Sequence, residues 1–170
     1  MTTPEFQELV AALEAAPDIV AARIIALSDE HHHRKHSPDE FSALENICHL
    51  RDLEVEGYMT RIERMLDEEH PSLPDFDGTR VAAERDYNSQ DIGQAVAAFR
   101  DARIANVAML RRLKPGQLER TATLEGAGPI TLGKLVEMMC EHDAGHLDEL
   151  RIIQDRLARK DSDRGAMASA

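Results

Sequence analysis

The chain of 170 residues, 42% of them hydrophobic and spread along its length, is long enough to bury a core as one domain. Its 32 acidic and 20 basic side chains give a net charge of −12, which repels phosphate backbones and anionic lipid headgroups and argues against nucleic acid and membranes as partners. No apolar run approaches about 18 residues, and two cysteines are too few for a disulfide framework.

The pattern of the N-terminal segment predicts a helix, and we do not expect it to act as a secretory signal. Its start, MTTPEFQELV, lacks the basic residues and apolar stretch of such a signal, so we expect a cytoplasmic protein. A first helix is expected from Pro4 to about Ala16, with Thr3 as its cap. Pro17 then opens a second, shorter helix to about Leu27. We interpret the two as one broken element.

The second main helix follows a polar loop, SDEHHHRKH. In the run SPDEF, Ser37 is the expected N-cap and Pro38 the first helical residue. From there one apolar stripe at helical spacing continues until the loop PSLPDFDG, and it comprises Phe41, Leu44, Cys48, Val55, Met59, Ile62 and Leu66. The connection from Pro71 to Gln90 is too long for a tight turn and is a candidate cover for another part of the molecule.

Two further helices complete an all-α pattern. The third is expected from about Asp91 to Leu113, and its inward stripe is Ile92, Val96, Phe99, Arg103, Asn106, Leu110 and Leu113. The fourth begins after Thr131 as cap, reaches about Lys160 and is followed by a tail that we expect to fray from about residue 161. No stretch shows sustained strand-like alternation, so the predicted architecture is a compact four-helix bundle in a single domain, residues 1–170.

Two histidines lie on the apolar face of the last helix. The residues of that face step by three or four, and they are Leu132, Leu135, Met139, His142, His146, Leu150, Ile153 and Leu157. Burying an imidazole without a partner costs on the order of 1 to 3 kcal/mol for each unsatisfied polar atom. A divalent metal would satisfy both rings, because histidines at i and i+4 project in parallel from one face. Hydrogen bonds to carbonyls or acids of neighbouring helices are the alternative.

A third candidate ligand is His49, in the segment NICHLRDLE of the second helix. The stripe alone places it at the flank of the buried face, about 100° from Cys48, so periodicity does not settle its direction. Ile47, Leu50 and Leu53 make this part of the helix apolar on several sides, which is compatible with burial of His49.

Three segments together resemble the DinB-like family of damage-inducible bacterial proteins: SPDEFSALENICHLRDLE, ERDYNSQDIGQAVAAFRDARIANVAMLRRL and GPITLGKLVEMMCEHDAGHLDEL. The resemblance implies a four-helix bundle of the up-down-down-up type. It also implies one metal ion, bound by a histidine of the second helix in an HL-x-x-x-E context and by an H-x-x-x-H pair on the last helix. These positions are His49, with Leu50 and Glu54, and His142 with His146.

The resemblance also bears on activity and assembly. Relatives include bacillithiol- and mycothiol-dependent transferases and isomerases and proteins described as metal-dependent hydrolases, and many members are dimers, so we expect a homodimer. Members often carry tryptophans before the second and third helices, whereas this chain has none, and whatever those aromatic residues contact must differ here. Family membership indicates a site more firmly than a reaction.

A site of three neutral histidines leaves a coordination position open and is best matched by zinc or nickel. Such a metal would activate water for hydrolysis or bind a thiolate, so we expect a metal-dependent hydrolase or thiol transferase acting on a small molecule such as a low-molecular-weight thiol. A non-catalytic bundle, in which the metal only ties two helices together, is the alternative.

Other polar residues could assist such a site. Arg103 and Asn106 face inward and could bind the substrate, for example through a carboxylate. Alternatively, Arg103 extends to the rim or pairs with a buried acid. Four acidic residues could orient the ligand histidines or simply face solvent, and they are Glu45, Asp52, Glu54 and Glu141.

Overall fold

The computed structural model describes the backbone of residues 1–168 and the side chains of residues 1–159. The helices and strands are α1 (Thr3–Ile25), α2 (Asp29–His32), α3 (Ala43–Asp52), a π-helical segment (Leu53–Met59), α4 (Thr60–Asp67), β1 (Ser72–Leu73), α5 (Gly78–Glu84), α6 (Ile92–Leu110), β2 (Thr121–Leu124), β3 (Gly128–Thr131) and α7 (Leu132–Ala168). Short 3₁₀ turns occupy Tyr87–Ser89 and Pro115–Glu119. The last helix was predicted to end at about Lys160, but α7 continues to Ala168. The side chains beyond residue 159 lie outside the described part, and the fraying of the tail stays a prediction.

Four long helical elements form the bundle, which confirms the predicted all-α class. The first is α1, the third is α6 and the fourth is α7. The second is a continuous run of α3, the π-helical segment and α4. Both α1 and α3 pack against α6 and against α7. The first and second elements of the chain therefore lie diagonally across the bundle, and neither is the other's main neighbour.

The break predicted at Pro17 is wrong. A single helix runs from Thr3 to Ile25 with Pro17 inside it, and Thr2, one residue earlier than predicted, caps its start. Proline has no N–H, so the carbonyl of Leu13 lacks its usual donor four residues on. The guanidinium of Arg103 on α6 donates to that carbonyl at 3.0 Å. A distant side chain thus replaces the missing backbone donor and lets the helix continue.

The second element starts five residues later than SPDEF suggested. Its N-cap is Ser42, whose hydroxyl accepts the backbone N–H of Glu45 while the Glu45 carboxylate accepts the Ser42 N–H, a complete capping box. Ser37 only closes a turn with Glu40. Ser42 is the better start because both halves of its capping box are present.

The π-helical segment changes which residues face the core. A π turn bonds residues five apart, so it advances the face by one position relative to an α-helix. Glu54 and Tyr58 are buried there, whereas Val55, which the regular stripe placed inside, is 46% exposed. The stripe holds before and after the segment, since Leu44 and Ile62 are both fully buried.

A small three-stranded sheet caps one part of the bundle and was not predicted. Its order is β1-β2-β3, with β1 parallel to β2 and β2 antiparallel to β3, and Thr121 pairs with Thr131. Gly126 and Gly128 have φ of 79° and 81°, a left-handed conformation that suits glycine in the connecting turn. Thr131 then caps α7 as expected, because its hydroxyl accepts the N–H of Lys134 at 3.1 Å.

Two apolar clusters fill the bundle, with a polar level between them. On α7, Met139 belongs to one cluster and Leu150 to the other. On α6, Val107 and Phe99 are divided in the same way. The intervening residues on both helices include buried charged and polar side chains. None of the helices in the described part of the chain is long and apolar enough to cross a membrane.

Candidate metal site

Three histidine side chains from two helices meet at this polar level. His49 comes from α3, and His142 and His146 stand one turn apart on α7. The Nε2 atom of His142 lies 3.1 Å from Nε2 of His49 and 3.1 Å from Nε2 of His146. One ligand atom from each ring lies within 4.8 Å of the other two. The structure thus brings together all three histidines that the sequence singled out.

The segment before α3 and the connection after α4 enclose His49 together, and the second of these agrees with the covering role considered for that connection. The His49 ring lies 5.5 Å from the Phe41 ring and 5.8 Å from the Phe76 ring, measured between centroids. The backbone of Gly78 approaches so closely that a Cβ atom there would lie 2.3 Å from Cε1 of His49. Only glycine leaves room for the ring at this position.

His146 is oriented by contacts on its other nitrogen. Its Nδ1 lies 2.6 Å from Oδ1 of Asn46 on α3 and 3.3 Å from a carboxylate oxygen of Glu149, one turn further along α7. The hydrogen bond with His146 lowers the pKa of Glu149, which keeps this carboxylate ionised at neutral pH. His146 therefore has two acceptors facing Nδ1, while its Nε2 points toward the other histidines.

His49 and His142 are uncharged at neutral pH, because both have a strongly lowered pKa. Burial lowers the pKa of His49 to about 4. Burial, followed by the proximity of His146 and His49, lowers the pKa of His142 to about 2. Neutral imidazole is the form that binds metal ions, so no deprotonation of these two rings is needed near pH 7.

Hydrogen bonds alone do not account for the cluster. Among the described residues, Nδ1 of His49 and Nδ1 of His142 are buried without a hydrogen-bond partner. A neutral imidazole has one N–H, so Nε2 of His142 can direct a linear hydrogen bond to only one of its two neighbours. Two nitrogens bound tetrahedrally to one zinc ion lie about 3.3 Å apart, close to the observed spacing. The three residues therefore fit a divalent metal ion.

Arg103 lies in the same polar level but is engaged by the protein itself. Its side chain is 1% exposed, Nε donates to Glu54 at 2.8 Å, and the two terminal nitrogens bind both carboxylate oxygens of Asp143 at 2.5 and 2.9 Å. With the Leu13 carbonyl added, every nitrogen of Arg103 has a partner. Of the two roles left open by the sequence, this geometry supports pairing with buried acids and gives no support to substrate binding.

Asn106 belongs to the same network. Its amide nitrogen donates to the backbone carbonyl of Glu54 at 3.1 Å and to the Glu54 carboxylate at 2.6 Å. Asn106 is fully buried, so these contacts too give no support to a substrate role. The residue instead holds the π-helical segment against α6.

The acids considered as orienting residues have other partners. Glu54 accepts a hydrogen bond from Arg103. Asp52 accepts hydrogen bonds from Arg51, Arg85 and Tyr87. The residues that do contact a clustered histidine, Asn46 and Glu149, were missed. Both were visible as neighbours, since Asn46 precedes His49 by three residues and Glu149 follows His146 by three.

A cavity of about 390 Å³ opens beside His146. Its walls combine apolar and charged side chains, namely Asp39, Glu40, Phe41, Thr79, His146, Glu149, Ile152, Ile153 and Arg156. Arg156 and Glu40 form an ion pair at 2.6 Å across it. A separate cavity of about 300 Å³ lies between α1 and the segment from Arg111 to Leu118, and none of the three histidines lines it.

Comparison with known proteins agrees with this architecture. A family model described as the DinB superfamily matches residues 12–150. A protein of Oceanobacillus iheyensis named "Putative metal-dependent hydrolase OB0782" is 25% identical over 140 residues, which cover 82% of this chain and 80% of that protein. YfiT from Bacillus subtilis, described as a probable metal-dependent hydrolase with an unusual four-helix bundle topology, has a TM-score of 0.86 at 18% identity, over 93% of this chain and 90% of its own. The structural match confirms the four-helix bundle.

Proposed function

The chain belongs to the DinB superfamily, and from the three-histidine cluster at its centre we propose that it is a metal-dependent hydrolase. The observation that carries this proposal is the convergence of three Nε2 atoms, with contacts of 3.1 Å, between buried His49, half-buried His142 and buried His146. The printed descriptions of the Oceanobacillus relative and of YfiT as metal-dependent hydrolases support the same reaction class.

His49, His142 and His146 would hold one divalent ion, either zinc or nickel, since an all-imidazole ligand set suits these metals better than calcium or magnesium. When bound, the ion would supply Lewis acidity, which lowers the pKa of water and polarises a carbonyl or phosphoryl oxygen. Three protein ligands, rather than four, are typical of zinc sites that perform chemistry.

The surrounding residues select and place a small substrate. The cavity beside His146 lies at the lower end of the volume range for small-molecule sites. Ile152 and Ile153 give it an apolar side, and the ion pair of Arg156 with Glu40 gives it a polar rim. The rings of Phe41 and Phe76 pack around His49 and limit the access of bulk water from that direction.

Elemental analysis of the purified, tag-free protein tests the metal site. We expect close to one zinc or nickel ion per chain, and its loss in His49→Ala and in His146→Ala. His36→Ala is a suitable control, because His36 is exposed and lies outside the cluster. Retention of the metal by both cluster variants would refute the site.

Activity assays then separate the possible reactions. Turnover of small esters or amides that requires metal and is lost in His146→Ala is the result expected of a hydrolase. Turnover only with an added low-molecular-weight thiol would instead indicate the thiol transferase expected from family resemblance. A metal that stabilises the bundle without any turnover would indicate a structural role. Light scattering tests the homodimer, which we propose from the same resemblance.

A further inference from the structure

Asn46 occupies an unusual place for a polar side chain. It is fully buried in α3, yet both ends of its amide have partners. The amide nitrogen donates to the backbone carbonyl of Ser42 at 3.0 Å, and Oδ1 lies 2.6 Å from Nδ1 of His146. Asn46 thus connects the start of α3 to the ring of a clustered histidine on α7.

The carbonyl of Ser42 determines which way this amide points. If the amide were reversed, Oδ1 would face the Ser42 oxygen at about the present contact distance, and two acceptors would oppose each other without a proton between them. The amide oxygen must therefore face His146. Since Oδ1 can only accept, Nδ1 of His146 must carry the proton and donate it.

The tautomer of His146 follows from this chain of contacts. A neutral imidazole with its proton on Nδ1 has a free lone pair on Nε2, the atom that points toward His49 and His142. The Glu149 carboxylate, 3.3 Å from Nδ1, favours the same tautomer. It is half exposed and more distant, so its influence is weaker than that of Asn46.

We infer that Asn46 is a positioning residue that fixes His146, before any metal binds, in the tautomer whose Nε2 can act as a ligand. The inference rests on the proposed function only in that it takes the cluster to be a metal site. His146 differs in this respect from His49 and His142, whose buried Nδ1 atoms have no hydrogen-bond partner among the described residues. His146 is therefore the preformed ligand, and the other two rings adopt the binding tautomer when the ion arrives.

Long-range ¹H–¹⁵N NMR of the metal-free protein tests the inference directly, because it reports which ring nitrogen of each histidine carries the proton. We expect the Nδ1–H tautomer for His146, with the resonance assigned by its loss in His146→Ala. An Nε2–H tautomer in the wild type would overturn the inference. This measurement involves neither metal nor turnover, so its outcome is separate from that of the proposed function.

Zinc affinity, measured by competition with a chelator, gives the second readout. Removing a group that orients a ligand histidine typically weakens metal binding by about 10- to 100-fold, and we expect this for Asn46→Leu. Asn46→Asp keeps an acceptor toward His146 but loses the donor to the Ser42 carbonyl, so it should retain the Nδ1–H tautomer of His146. Glu149→Gln should weaken binding less than Asn46→Leu. Wild-type affinity in a folded Asn46→Leu protein would contradict the inference.

A control variant separates orientation of the ring from general disturbance of α3. Asn88 accepts a hydrogen bond from the hydroxyl of Ser42 at 2.7 Å and touches none of the three histidines. Asn88→Ala should therefore leave the tautomer of His146 and the zinc affinity unchanged. If it lowered the affinity as much as Asn46→Leu, the effect would come from the helix start and the inference would fail.

Discussion

Replacing Gly78 with alanine is expected to displace His49 from the cluster. The new Cβ atom would lie 2.3 Å from Cε1 and 2.5 Å from Nδ1 of His49, whereas ordinary contacts begin at 3.4 Å. Either the ring or the start of α5 must therefore move by about 1 Å. A metal ligand tolerates displacements of only about 0.2 Å, so the bond from His49 is the part of the site that fails.

The size of the effect follows from two terms. Forcing an extra methyl group into a packed site costs about 1 to 3 kcal/mol of folding free energy. Misplacing one ligand lowers the metal affinity by at least about tenfold, in line with the loss of an orienting group. Urea unfolding of the metal-free protein measures the first term, and chelator competition with zinc measures the second.

Gly145→Ala is the matched control for this change. Gly145 lies on α7 between two of the histidines, and a Cβ atom there meets nothing within 4 Å. Alanine in a helix is favoured over glycine by up to about 1 kcal/mol, so this variant should be more stable and bind zinc normally. Wild-type zinc affinity in Gly78→Ala would refute the close packing described for His49.

Three further outcomes are expected. Arg103→Met leaves the buried carboxylates of Glu54 and Asp143 without their partner, so urea unfolding should show a free energy of unfolding lower by about 3 to 5 kcal/mol. A decrease below about 1 kcal/mol would mean that this network does not stabilise the polar level. The metal-free protein should lose stability as the pH falls from 6.5 toward about 4, because the unfolded state protonates His49 near 6.5 and the native state only near 4. That ring contributes on the order of 3 kcal/mol across the window, so His49→Phe should make the curve less steep and leave the part that His142 contributes. An identical curve for the variant would contradict the shift of His49. Chelation of zinc held at about 100 times its Kd should lower the Tm by roughly 5 to 10 °C in the wild type and not in His146→Ala.

The sequence predicted the parts of the fold that depend on regular spacing. The face of α7 holds because its residues repeat every three or four positions, and this placed His142 and His146 at the core. The direction of His49 did not follow from periodicity, since its helix is buried on several sides; only the family resemblance indicated it. All nine residues from Ser42 to Leu50 are in fact buried.

The failures concern features that a local sequence pattern does not record. A π turn shifts the helical face by one position, and nothing in a local pattern marks where Val55 turns outward. Strands of four residues are too short to show sustained alternation, so the sequence pattern did not predict β2 and β3. The stripe correctly placed Arg103 inside, but its role depended on Glu54 and Asp143, which other helices supply.

The same kind of distant contact gives α1 a particular place in folding. The Leu13 residue is fully buried, and the carbonyl that Pro17 cannot serve finds its donor on a side chain 90 positions later in the chain. Until α6 docks, Arg103 cannot donate to this carbonyl, which then depends on solvent for a hydrogen bond. The N-terminal helix and α6 are therefore coupled in one cooperative unit. Because α6 is synthesised after α1, a nascent chain that ends before Arg103 contains an α1 whose Leu13 carbonyl has no side-chain donor.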